Sequence, residues 1–184
     1  MEIKLDSKLM KTLNGVILLI ISIVLMAMNV DKLGDNHWLP GLFLLFGACA
    51  LGAAWYLDGK KDKQSAAIAC IYAFFAIVLF ANKYVVLSVH LFALWAMIEG
   101  ALAASASLKL KEENANLWFA PACLGAVAFL LGFVACFAMG EDFWKHLLFG
   151  DAKLILVGIA MLFAALGHIC PFCLQFMPKV EIKK

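Results

Sequence analysis

Residues Tyr84–Leu108, YVVLSVHLFALWAMIEGALAASASL, decide the architecture: over twenty-five consecutive positions the one formal charge is that of Glu99. At about 1.5 Å of rise per residue, a helix of this length crosses a hydrocarbon layer of about 30 Å. No proline interrupts it, and a helix pairs its own backbone amides, which lipid requires because it offers them no partner.

Outward from this stretch, five more apolar runs of similar length are bounded by charges: Leu13–Met28, Trp38–Leu57, Ala66–Asn82, Leu117–Met139 and Ala152–Cys170. The whole chain of 184 residues is 65% hydrophobic and 15% charged, whereas a soluble domain carries about half and about a quarter. The connectors are too short to build a soluble core. The expected fold is therefore all-α: one polytopic domain of six transmembrane helices, with membrane lipids as its surroundings. Lys4, Lys8 and Lys11 give the first run the charge pattern of a secretory signal. No small-x-small cleavage site follows Met28, so this run is expected to stay as the first membrane helix.

All fifteen basic residues are lysines. Alternating the connectors by side leaves Lys32, Lys83, Lys145 and Lys153 on one face and the other eleven on the opposite face. The positive-inside rule makes the lysine-rich face cytoplasmic, with both termini inside. Trp38, Trp55, Tyr56, Tyr84, Trp118 and Trp144 fall at segment ends, at headgroup level, and Trp95 alone sits deep. Lysines spread over connectors form no basic stripe, so nucleic acid is not an expected partner.

The runs also repeat. Ile21-Ser-Ile-Val-Leu-Met-Ala27 returns as Phe75-Ala-Ile-Val-Leu-Phe-Ala81, and small-residue patterns recur at Gly47-Ala-Cys-Ala-Leu-Gly52, Gly100-Ala-Leu-Ala-Ala104 and Gly158-Ile-Ala-Met-Leu-Phe-Ala164. This spacing predicts a helical hairpin used three times, over about 13–57, 66–108 and 117–170, with short polar tails at 1–12 and 171–184. The small-xxx-small pairs Ala48/Gly52, Gly100/Ala104 and Ala160/Ala164 let backbones approach closely, either as seams between hairpins or as homo-oligomer contacts.

Three such repeats, with a second helix of the form Leu91-Phe-Ala-Leu-Trp-Ala-Met-Ile-Glu-Gly-Ala-Leu-Ala-Ala104 ending in Lys109-Leu-Lys111, resemble the HdeD-like acid-resistance membrane proteins. The likeness spans roughly residues 13–170. It implies a multi-pass protein of the bacterial inner membrane with a suspected part in surviving acid or envelope stress, and no established reaction or cofactor.

Glu99 is the one charged side chain well inside an expected span. A carboxylate at mid-membrane costs about 2.5–3.5 kcal/mol, so it needs an interior partner, a proton or water. It is either a proton-binding or cation-binding site or a neutral acid hydrogen-bonded to a neighbouring helix. Ser22 lies at the same depth, about 13 Å from the cytoplasmic ends of the apolar runs. His90, about 900° round the same helix, falls on the face opposite Glu99.

His37, His90 and His146 are all expected on the outer side, where they would gain charge as the outside acidifies, as pH sensors or as ordinary connector polarity. Cys49, Cys70, Cys123 and Cys136 read as small apolar packing residues. Cys170-Pro-Phe-Cys173 has a redox spacing, and with His168 it offers three metal ligands, short of a closed zinc site. Phosphate loops, paired-carboxylate sites, Ser/His/Asp sets and H-E-x-x-H are absent from the sequence, and no cofactor is required. Three functions stay open: an HdeD-like stress protein without catalysis, an ion or small-solute pathway past Glu99, and a thiol or metal handler using Cys170 and Cys173.

Overall fold

A computed structural model describes residues 7–28, 30–36, 38–81, 85–113, 117–138 and 152–174, and all regular structure among them is helical. The elements are α1 (Ser7–Ala27), a short α2 (Val30–Asp35), α3 (Trp38–Leu57), α4 (Lys63–Ala81), α5 (Val85–Glu112), α6 (Ala120–Phe133) and α7 (Ala152–Leu174). A π-helical turn, Val134–Ala138, prolongs α6. Six of these are long and apolar enough to cross a membrane, so the chain reads as a multi-pass membrane protein.

The helix bounds follow from local chemistry. α3 stops at Leu57, and Gly59 then takes a left-handed backbone (φ 65°) as the Lys60 amide bonds back to the Trp55 carbonyl, a turn that glycine makes without steric cost. Asp62 opens α4: its Oδ1 accepts the Ser65 amide at 3.1 Å and its Oδ2 the Ser65 hydroxyl at 2.7 Å, satisfying one of the orphan donors of a helix start. Pro121 sits in the first turn of α6, where no partner is lost. α5 continues past Leu108 to Glu112 and α7 past Cys170 to Leu174. Pro171 lies inside α7 and gives up one bond near its end without stopping it.

The apolar side chains face both ways. Phe74, Ile77, Leu130 and Phe137 are more than half exposed on the outside of the bundle, as suits a helix solvated by lipid. Inside lie Leu18, Ile21, Leu44, Tyr72, Phe92, Trp95 and Met161, all buried.

With lipid supplying no hydrophobic drive between helices, close approach must come from small residues, and glycines mark each seam. A Cβ added to Gly100 would lie 2.6 Å from the Gly125 carbonyl oxygen across the α5–α6 seam. At Gly158 it would meet Met26 Cγ at 2.7 Å across α7–α1, and at Gly41 the Ala76 carbonyl at 3.1 Å across α3–α4.

These tightest pairs, α1 with α7, α5 with α6 and α3 with α4, are one helix out of step with the hairpins expected from the sequence. The two long helices of the middle repeat, α4 and α5, meet through large side chains rather than close backbones. The Gly100/Ala104 face is taken up by α6 within the chain, and Ala160 and Ala164 are fully buried. Those two faces are therefore used in packing within the chain. Gly52 has open space at its Cβ position and belongs to no seam.

The starts of α1, α4 and α6 and the ends of α3, α5 and α7 share one end of the bundle. Lys60 lies 5.9 Å above the Trp55 ring there, and Lys111 5.0 Å above Trp118. These are cation–π contacts of the kind that hold a helix end at an interface.

Candidate functional site

The middle of α5 carries Trp95 and Glu99 four residues apart, hence on one face. The Glu99 side chain is fully buried, and its Oε1 gathers three donors from three helices. Asn14 Nδ2 of α1 donates at 2.9 Å, Trp95 Nε1 at 3.2 Å, and the Tyr72 hydroxyl of α4 completes the set.

The other oxygen, Oε2, faces His168 Nε2 of α7 at 2.5 Å. That contact is at ion-pair distance without the alignment of a directed hydrogen bond, and neither atom has another partner among the described residues. With Oε1 filled by donors, a proton on this carboxyl belongs on Oε2, between Glu99 and His168. An imidazole accepts or donates there according to its protonation, so the pair can hold one proton in either of two places.

Aromatic rings hold the centre in position. Tyr72 stands edge-on to Trp95 at 5.2 Å between centroids, and Phe92 stacks on Trp95 at 6.0 Å, both favoured arrangements. Gly47 brings α3 against this frame: a Cβ there would lie 3.3 Å from Asn14 Oδ1, 3.3 Å from Tyr72 Cδ2 and 3.4 Å from Trp95 Cζ2. Gly15 does the same for α1 and α7, since a Cβ there would lie 3.0 Å from His168 Cβ.

A cavity of about 260 Å³ leads from the lysine-rich end to this centre. Asn14 and His168 line its inner part; Ser105, Lys109 and Phe172 lie further out on α5 and α7, and Lys11, Asp62, Gln64 and Glu113 stand at the mouth. The His168 side chain is 14% exposed and Glu99 not at all, so the imidazole is the member of the pair that meets the cavity. At about 30 Å³ per water molecule, this volume suits a short water chain or a small solute, not a peptide.

At the mouth Lys11 Nζ meets Asp62 Oδ2 at 2.5 Å. Burial alone would raise the Asp62 pKa, but the Lys11 ammonium and the two Ser65 donors prevail and hold it at about 2.

The structure brings together some of the residues expected from sequence and separates others. Glu99 is at the centre. Ser22 is not: its hydroxyl donates to the Leu19 carbonyl of its own helix at 2.8 Å, and Asn14, about two turns nearer the lysine-rich end, takes the place expected of it. Counting depth from the ends of the apolar runs assumes that α1 and α5 start level; the Asn14–Glu99 contact instead sets Glu99 against α1 eight residues before Ser22.

His168 does not join Cys170 and Cys173; it turns to Glu99. Residues two apart on a helix point about 200° away from each other, and α7 is helical through both cysteines. Cys170 and Cys173 are free thiols, and among the described residues no group of three or more His, Cys, Asp or Glu side chains is placed to hold a metal. His90 Nε2 lies 3.2 Å from Lys153 Nζ at the opposite end of the bundle, and His37 and His146 lie outside the described residues.

Asn14, Trp95 and His168 were not connected with Glu99 by sequence reasoning. Trp95 had a usable signal in its spacing of four from Glu99, and Asn14 in being a lone amide in an apolar run. No protein-family model, curated protein or solved structure matches this chain. What fold and site define is a class, that of a multi-helix membrane protein with a carboxylate and an imidazole buried at the end of a polar cavity.

Proposed function

We propose that this chain is a non-enzymatic membrane protein in which Glu99 and His168 form a proton-binding station, on a pathway for a small ion or solute that enters through the lysine-rich cavity. One observation carries the reading: His168 touches the fully buried Glu99 with one nitrogen while its ring lines the cavity. An ionisable group inside a membrane bundle is expensive to keep, and its usual use is ion or proton handling. The lysine excess supports placing the cavity mouth in the cytoplasm and both termini inside.

The resemblance to HdeD-like proteins supplies a setting, acid or envelope stress at the bacterial inner membrane, and a protonatable station suits it. The metal reading loses the imidazole that would join Cys170 and Cys173, since His168 is engaged by Glu99.

The test is proton uptake by liposomes that contain the purified protein and a trapped pH-sensitive dye, after an external acid jump. The expected result is an uptake rate that falls at least tenfold in Glu99→Gln and in His168→Gln, with helix content unchanged by circular dichroism. Equal rates in wild type and in folded Glu99→Gln protein contradict the proposal.

A further inference from the structure

Beyond the two groups that would hold a proton, the cavity has a chemistry of its own. Part of the lining is apolar: Leu51 of α3, Ile68 of α4, Leu102 of α5 and Phe172 of α7. Lys109, two turns beyond Leu102 on the same face of α5, has no ion-pair partner among the described residues. The other lysine, Lys11, is neutralised by Asp62. The hydroxyls nearby are already used: Ser105 donates to the Leu102 carbonyl at 2.8 Å and Ser65 to Asp62 at 2.7 Å. The one cation left to receive a ligand is the Lys109 ammonium, beside aliphatic and aromatic side chains, with the His168 imidazole at the inner end.

We propose that the cavity binds a small monocarboxylate with an apolar body, its carboxylate on Lys109 and its body against Leu102 and Phe172. The inference rests on the proton-station reading and names the solute class for it. Three features select that class. About 260 Å³ admits a molecule of a few to about ten heavy atoms. A single unpaired cation matches a single negative charge. The apolar lining favours an organic acid over an inorganic anion, which would leave that surface against its hydration shell. Glu113, one turn beyond Lys109 and exposed at the mouth, opposes an anion's approach, so its neutralisation should tighten binding.

The test uses sodium benzoate as probe with the purified full-length protein in detergent, read by isothermal titration calorimetry. Benzoate is expected to bind, benzamide (the same body without charge) and inorganic phosphate (charge without the body) to bind at least tenfold more weakly. Lys109→Gln should weaken benzoate at least tenfold, Lys109→Arg should largely restore it, and Glu113→Gln should strengthen it.

Glu99→Gln should retain benzoate affinity within about threefold while losing proton uptake. Failure of the carboxylate site is thereby distinguishable from failure of the proton station. Lys109 is an exposed side chain, so its variants are expected to fold, and circular dichroism checks this. Equal binding of benzoate and benzamide, equal binding of phosphate, or unchanged affinity in folded Lys109→Gln would overturn the proposal.

Discussion

The two halves of the bundle interior are built on opposite terms. From the centre toward the lysine-rich end, the helices enclose a cavity in which amide, imidazole, hydroxyl and charged groups are set among apolar side chains. Toward the other end, Leu18, Ile21 and Leu25 of α1, Phe92 of α5, and Leu154, Val157 and Met161 of α7 fill the interior and are buried. Glu99 stands on the boundary. A carboxyl there can be matched by donors and reached by water from one side, while in this conformation the packed half closes the other. Such an arrangement keeps an ionisable group at membrane depth without leaving it unpaired, the condition under which burial is most costly.

The comparison breaks first at the boundary itself. Glu99→Ala should destabilise the protein by about 3–5 kcal/mol, because Asn14, Tyr72, Trp95 and His168 would all lose their shared partner. Glu99→Gln, close in shape, should cost only about 1–2 kcal/mol. Thermal and denaturant unfolding in the same micelle would measure the difference.

Next come the seams that hold the halves together. Gly125→Val forces a side chain into the Gly100 carbonyl and the Ala104 amide and should cost about 2–3 kcal/mol. Gly52→Ala, with nothing near its Cβ position, should change stability by less than about 0.5 kcal/mol. An equal effect of the two would mean that α5 and α6 do not pack as described.

At the mouth of the polar half, Asp62→Asn should cost about 1 kcal/mol near neutral pH, a figure reduced from the full pKa shift because Lys11 is 40% exposed. The folded Asp62 titrates at about 2, below its ordinary value of 3.8. Its contribution is therefore complete above about pH 4 and disappears as the pH falls through about 2. Unfolding curves for wild type and Asp62→Asn should converge at the acid end of that window; a gap that widens there would show the sign to be wrong. The smallest effect is one of labelling. In a cysteine-free background, Ala106→Cys on the cavity wall should react with a small maleimide and Val157→Cys in the packed half should not.

The sequence made the spans readable because each is a long apolar run bounded by charges, and α3 begins and ends where Trp38 and Leu57 say it should. Glu99 was readable for the same reason, as a charge with no business in hydrocarbon unless matched. Its partners were harder to find. Helices apolar on every side carry little periodic signal to say which face meets which neighbour, so the packing of α1 on α7 and the convergence of Asn14 and His168 on Glu99 could not be read from them. His168 was grouped with Cys170 by nearness in sequence, although helical geometry sets those two side chains on opposite faces. Counting from the ends of apolar runs puts Ser22 level with Glu99 only if α1 and α5 start level, and the Asn14–Glu99 bond shows that they do not.

The central claim is that Glu99 exchanges a proton with His168 in contact with the cavity. Infrared difference spectroscopy of the protein in lipid nanodiscs, titrated across the range where carboxylates and imidazoles ionise, addresses it directly. A carboxyl band is expected that changes with pH, shifts on transfer to heavy water, and vanishes in Glu99→Gln. A spectrum in which folded wild-type and Glu99→Gln proteins titrate identically would contradict it.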